Sequence, residues 1–265
     1  MIVFERLLRD RRRSTMGWVL GMVAYSVFTV AFYPSLRGQT SFDDVYEDLP
    51  EAIKALVGTY GEVSISSAPG YLQARYFGLV PVLLLIFGIG LGARAIGGSE
   101  EDGTLELLLS NPVTRRRVAL ERLAAVIVLV AVVGATGVIS LLALAPPVGL
   151  FDGLRLINVV AATAAATALA LAHAAIAYAV GAVTGRRGTA VAVATVIAVT
   201  GYLLQGLATV SDAAQPLRWL SPWFWYLRGN VVINGPGPEA FLLPVALLVM
   251  VAAIATVQFE RRDLR

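Results

Sequence analysis

The stretch YLQARYFGLVPVLLLIFGIGLGARAIG, residues 71–97, carries Arg75 and Arg94 as its only charged side chains, one toward each end. A hydrocarbon core about 30 Å thick asks for about 20 consecutive, mostly apolar helical residues, and this run supplies them. It lacks the polar–apolar alternation of a barrel strand, the other backbone solution that leaves no unpaired amide in lipid. It is therefore read as a membrane-spanning helix. Five further runs share its character, at residues 14–33, 118–145, 157–184, 189–209 and 239–259. The 57% hydrophobic composition, 15% charged residues and mean hydropathy of +0.74 agree with six spans and exclude an ordinary soluble domain. The fold class expected is all-α: a polytopic membrane protein forming a single domain over residues 1–265.

Five arginines, Arg6, Arg9, Arg11, Arg12 and Arg13, precede the first span. The apolar run behind them is too long for the core of a secretory signal, and AFYPSLRGQ (31–39) offers no small-x-small cleavage site, so the span is expected to stay attached. With the N-terminus inside, 15 of the 21 Lys and Arg residues fall on the cytoplasmic side, and the bias holds at every pair of loops. Both termini are expected in the cytoplasm. The pI near 9.4 then reflects topology, since a basic inner face suits anionic lipid and calls for no nucleic acid.

Catalytic chemistry finds few groups to use. There is no cysteine, His173 is the only histidine, and the only lysine, Lys54, lies outside any phosphate-binding loop. Zinc motifs, multi-histidine constellations and a Walker-type nucleotide site are all excluded, so no catalytic, metal or cofactor site is expected in the chain. No Asp or Glu lies in the middle of a span, which disfavours an ion-coupled carrier. His173 lies within span four and is either a proton-handling group or a neutral imidazole bonded to a nearby carbonyl.

The first outer loop, 34–70, is long and acidic. Within it PEAIKALVG (50–58) spaces Ile53, Leu56 and Val57 for one apolar helix face, either packed on the bundle or resting on the membrane. The last outer loop, 211–238, contains Trp219, Trp223, Trp225 and Tyr226; it is either an aromatic belt or a re-entrant segment that dips into the bilayer. Spans four and five are rich in Ala and Gly at four-residue spacing, which favours close approach to each other or to a second protomer.

Residues 98–117 read GSEEDGTLELLLSNPVTRRR. Ser99 with Asp102 resembles a helix-start box, Leu105, Leu108 and Leu109 share one face, and Pro112 ends the run, so a short amphipathic helix is predicted at the inner surface. Its apolar face could rest on lipid or meet a partner.

This run is similar to the GTLE-LLL-x-x-PV-[ST]-R signature of the type 2 ATP-binding-cassette (ABC) exporter permeases. VFERLLRDRRRS (3–14) resembles that family's amphipathic connecting helix, placed at 1–13 here, PGYLQARYFGLVPVLL (69–84) resembles the start of its second span, and SPWFWYL (221–227) with FERRDLR (259–265) resembles its late segments. Arg122 stands where members commonly carry a lysine, and Gly98-Ser99 replaces a more usual Ala-Gly. The resemblance implies a permease subunit in the inner membrane of a prokaryote, paired with a second permease copy or a homologous permease. Two cytoplasmic ABC ATPase subunits, which bind ATP and Mg, would drive export. It also implies that 98–117 is the coupling segment, with Gly103, Thr104, Leu105, Glu106, Leu108, Leu109, Pro112 and Arg115 engaging the ATPase. An ion-coupled or ATP-independent carrier and a non-transporting membrane scaffold are the alternatives.

Overall fold

A computed structural model describes residues 2–38, 64, 66–208, 211 and 214–262. The helix expected at 50–58 lies outside the described residues. Among those described, all regular structure is helical, and six helices are long and apolar enough to cross a membrane.

The first helix, α1 (Ile2–Leu36), runs about 52 Å at 1.5 Å per residue, well beyond a bilayer core. From Ile2 onward the basic segment and the first span are thus one uninterrupted helix and not two elements. Arg and Leu are good helix formers, and no Gly or Pro falls before Gly17 to break the run. After the outer loop comes α2 (Ala68–Glu101). Its start is capped by the Ser67 hydroxyl, which accepts from the Gly70 N–H at 3.2 Å, with Pro69 in the first turn where no N–H is needed. Two π turns, Leu72–Tyr76 and Arg94–Gly98, interrupt α2 near its ends.

Then follow a short α3 (Thr104–Leu109), α4 (Arg115–Leu144), α5 (Leu156–Thr184) and α6 (Arg187–Leu207). The short α7 (Pro222–Leu227) precedes the last span, α8 (Glu239–Arg261). The spans alternate in direction, so α3, the loop after α5 and the start of α1 share one end of the bundle.

Helix α5 is the hub, packing against α2, α4, α6 and α8, while α1 packs chiefly on α4. Small residues set these distances. A Cβ on Gly92 of α2 would lie 2.2 Å from the Ala174 carbonyl oxygen, and one on Gly88 3.1 Å from that of Ala170. Thus the Ala-rich α5 does lie beside α6, as its composition suggests, and its backbone also comes close to the Gly88/Gly92 stripe of α2. Along the outer faces, large apolar side chains such as Leu20, Val196, Leu203, Leu242 and Val249 stand exposed. A surface this apolar is solvated by lipid, not water.

Several polar groups inside the bundle are paired in ways the sequence does not advertise. Pro81 lacks an N–H and cannot bond the carbonyl of Phe77 one turn earlier; the Tyr226 hydroxyl of α7 donates to that carbonyl at 3.0 Å instead. Tyr76 donates to the Gly137 carbonyl at 2.8 Å and sits 3.2 Å from the Ser26 hydroxyl, to which Ser140 donates at 2.8 Å, so α1, α2 and α4 share one buried network.

The aromatic outer segment divides. Trp223 and Tyr226 are buried, whereas Trp219 is 45% exposed. The Trp223 indole donates to the Ala198 carbonyl at 3.0 Å, and Ser221 to that of Gly201 at 2.7 Å. Ala198 lies nine residues before the end of α6, so α7 reaches about 14 Å down that helix. Two of the four aromatic residues of this segment, expected either as a surface belt or in a re-entrant dip, are therefore wedged among α2, α6 and α8.

Candidate functional site

At the α3 end, α2 terminates where Gly103 adopts a left-handed conformation (φ 66°) and its N–H bonds the Glu100 carbonyl at 2.9 Å. A side chain here would meet the left-handed penalty that glycine escapes. Ser99 does not start a new helix. The π turn at Arg94–Gly98 carries α2 onward through Glu101, and the Ser99 hydroxyl bonds back to the Arg94 carbonyl at 3.4 Å. Helix α3 begins only at Thr104, whose hydroxyl donates to the Ser99 carbonyl at 3.0 Å. It ends where the Asn111 amide donates to the Leu107 and Leu108 carbonyls at 3.1 and 3.3 Å, ahead of Pro112. Thr114 then caps α4 by accepting from the Arg117 N–H at 3.3 Å.

The leucines of α3 do not all face outward. Leu105 is fully buried and Leu108 is 8% exposed; both belong to the bundle core, Leu109 is half-buried, and Leu107 is 72% exposed. The face expected to meet a partner through Leu105, Leu108 and Leu109 is thus largely consumed within the chain. The outward side consists of Thr104, Glu106, Leu107, Ser110, Asn111 and Pro112, with Arg116 beyond it. Leu107 is the residue that the periodicity missed: an apolar side chain on the polar face of a short amphipathic helix was its only signal.

Ion pairs and caps bolt the residues on either side of α3 to the spans. Glu100, with a side chain only 4% exposed, pairs with Arg262 just past α8. Arg115 donates to the Arg262 carbonyl and, at 3.5 Å, to that of Phe259. Glu101 accepts from the backbone N–H of Arg187 at 3.1 Å, fixing the start of α6. Glu121 of α4 accepts from the N–H groups of Val3 and Phe4, each at 3.1 Å, and from Arg117 at 2.8 Å, so it caps the positive end of α1. Arg122, 7% exposed, donates to the Ala95 carbonyl within the second π turn. Both flanks of α3 are therefore held by α8, and its neighbours on α2 and α4 hold α6 and α1. Of the expected site residues, Gly103, Thr104 and Arg115 shape or anchor the segment, Leu105 and Leu108 pin it, and Glu106 and Pro112 face outward.

His173 is fully buried on α5, its Nδ1 2.9 Å from the Leu169 carbonyl one turn earlier. Among the described residues no group of three or more His, Cys, Asp or Glu could hold a metal ion.

Six apolar spans, an exterior suited to lipid and a short surface helix with two of its leucines in the bundle core define a multi-pass helical membrane protein. The chain belongs to the ABC-2 family of transporter proteins, whose family model matches residues 1–264. That family supplies membrane components of transporters, not catalytic subunits, and works in general with an ABC ATPase. No curated protein matches the chain.

Proposed function

We propose that this chain is the permease subunit of an ABC exporter, that two permease chains form the translocation path, and that two separate cytoplasmic ATPases binding ATP and Mg drive it. The excess of Lys and Arg at the α3 end orients that end to the cytoplasm of a prokaryotic cell, with both termini inside. One observation carries the reading: Leu107 projects from a helix whose Leu105 and Leu108 are buried in the bundle core. An isolated apolar contact on a flexible loop would transmit little. Here a push on α3 passes through Leu105 and Leu108 into the bundle core, and the residues flanking α3 are held in turn, Glu100 by Arg262 just past α8 and Glu101 by the backbone of Arg187 at the start of α6.

In this account the ATPase receives α3 through Leu107, flanked by Thr104, Glu106, Ser110 and Pro112, while Leu105 and Leu108 act as the bolts. Burying one leucine contributes roughly 1.5–3 kcal/mol, enough to matter in a contact whose association cost must also be met. Glu106 and Arg116 set orientation more than affinity. ATP-driven closure of the ATPase pair would then move the spans as rigid bodies.

The test is copurification of the partner ATPase with the chain. Wild type and Leu107→Met should retain it; Leu107→Asp should lose it while all six spans still insert. An Asp variant that keeps both its ATPase and ATP-driven export would return α3 to the role of a helix resting on lipid.

A further inference from the structure

At the α3 end a cleft of about 230 Å³ opens between α1, α2 and the start of α6. Three guanidinium groups line it, those of Arg11, Arg94 and Arg187, and none forms an ion pair among the described residues. The Nε of Arg11 is buried with no hydrogen-bond partner. A Cβ on Gly98 would meet Arg94 Cγ at 3.3 Å and Arg187 Cδ at 3.5 Å, so those two stems lie side by side over one glycine. Carboxylates are near but engaged differently: Asp10 and Asp102 act on Arg11 through space, and Glu101 accepts from the backbone of Arg187. Three like charges gathered at the edge of a low-dielectric bundle repel one another, and an anion between them relieves that cost.

The rest of the cleft is apolar. Trp18 of α1 and Phe87 of α2 close it, their ring centroids 5.4 Å apart, and Ser14 adds a hydroxyl at the charged rim. Ile86, 56% exposed, leads from the cleft onto the outer face of α2. The volume holds a head group and not a whole lipid, so an acyl chain would leave along Ile86.

We propose that this cleft binds the phosphate head group of an anionic phospholipid drawn from the leaflet on the α3 side. Guanidinium forks match phosphate oxygens in paired hydrogen bonds, and basic pockets between spans at the cytoplasmic surface suit such head groups. That such a lipid enters here as cargo is an extension resting on the permease reading; the binding itself does not need it.

Trp18 is a built-in reporter, because the other three tryptophans, Trp219, Trp223 and Trp225, lie toward the opposite end of the chain's spans. The full chain in nanodiscs is titrated with phosphatidylglycerol or phosphatidylcholine brominated high on the acyl chain, and the Trp18→Phe signal is subtracted. Brominated phosphatidylglycerol should quench Trp18 in preference to brominated phosphatidylcholine. Arg94→Gln and Arg187→Gln should each reduce that preference about five-fold, the effect of removing one arginine near an anionic surface, and Arg94→Lys should keep most of it. Equal quenching by the two lipids, or a preference unchanged in both Gln variants, overturns the proposal. A saturable response to inorganic phosphate in all-phosphatidylcholine nanodiscs would assign the cleft to a soluble anion and overturn it too. No ATPase is present in this measurement, so its failure is separable from failure of the copurification test.

Discussion

Replacing Gly92 by alanine places a Cβ 2.2 Å from the carbonyl oxygen of Ala174, 3.0 Å from its carbon and 3.2 Å from the Tyr178 nitrogen. All three are backbone atoms of α5 and cannot rotate away. To restore van der Waals contact, α2 and α5 must part by about 1 Å, which also opens the neighbouring contact of Gly88 with Ala170. Overpacking of this kind costs typically 1–3 kcal/mol, and the buried hub of the bundle puts Gly92→Ala toward the upper part of that range. Gly90, two residues earlier on the same helix, has nothing within 4 Å of its Cβ position. There Gly→Ala removes unfolded-state freedom and should stabilise by roughly 0.4–1 kcal/mol. Thermal unfolding of the purified protein in one detergent therefore should show a midpoint lowered in Gly92→Ala and equal or raised in Gly90→Ala. Matching shifts of the same sign in both variants would refute the close-approach account of the α2–α5 interface.

Glu100→Ala should leave Arg262 without its carboxylate in a partly buried site and cost roughly 3–5 kcal/mol, seen as a lowered unfolding midpoint; an unchanged midpoint would contradict the bolt assigned to this pair. Because native cysteine is absent, single cysteines report topology cleanly: Ser211→Cys should react with an impermeant maleimide in intact cells, and Ser110→Cys or Gly188→Cys only after lysis. Labelling of Ser110→Cys in sealed cells would invert the orientation. His173→Gln should retain ATP-driven transport, since the ring bonds within its own helix turn and forms no ion pair among the described residues; loss of transport in a normally assembled variant would make His173 functional.

The six spans were legible because a bilayer imposes a length and a composition that local sequence must meet alone. The position of α3 was legible for the same kind of reason, a glycine and a proline bracketing a run of leucines. Its facing was not. Leu105, Leu107 and Leu108 are chemically identical, and which of them is buried depends on tertiary neighbours, such as the α1 residues Val3 and Leu7 and Arg122 of α4 beside Leu108. The Glu100–Arg262 pair joins residues 162 apart in the chain, and no spacing rule connects them. Likewise, Ser99 and Asp102 have the spacing of a helix start, yet the π turn before them lets α2 run on past it. Trp223 and Tyr226 look like surface aromatics until Pro81 leaves a carbonyl free for the Tyr226 hydroxyl, a tertiary demand that hydropathy does not record.

The central claim is that α3 meets an ATPase through Leu107 while Leu105 faces its own bundle. A photo-crosslinking residue placed at each position in turn, in cells that make the complete transporter, tests it most directly. The account predicts a covalent adduct between position 107 and an ATP-binding polypeptide, and at position 105 only products within the chain. An ATPase adduct at 105, or none at 107 in a chain that still transports, would contradict it.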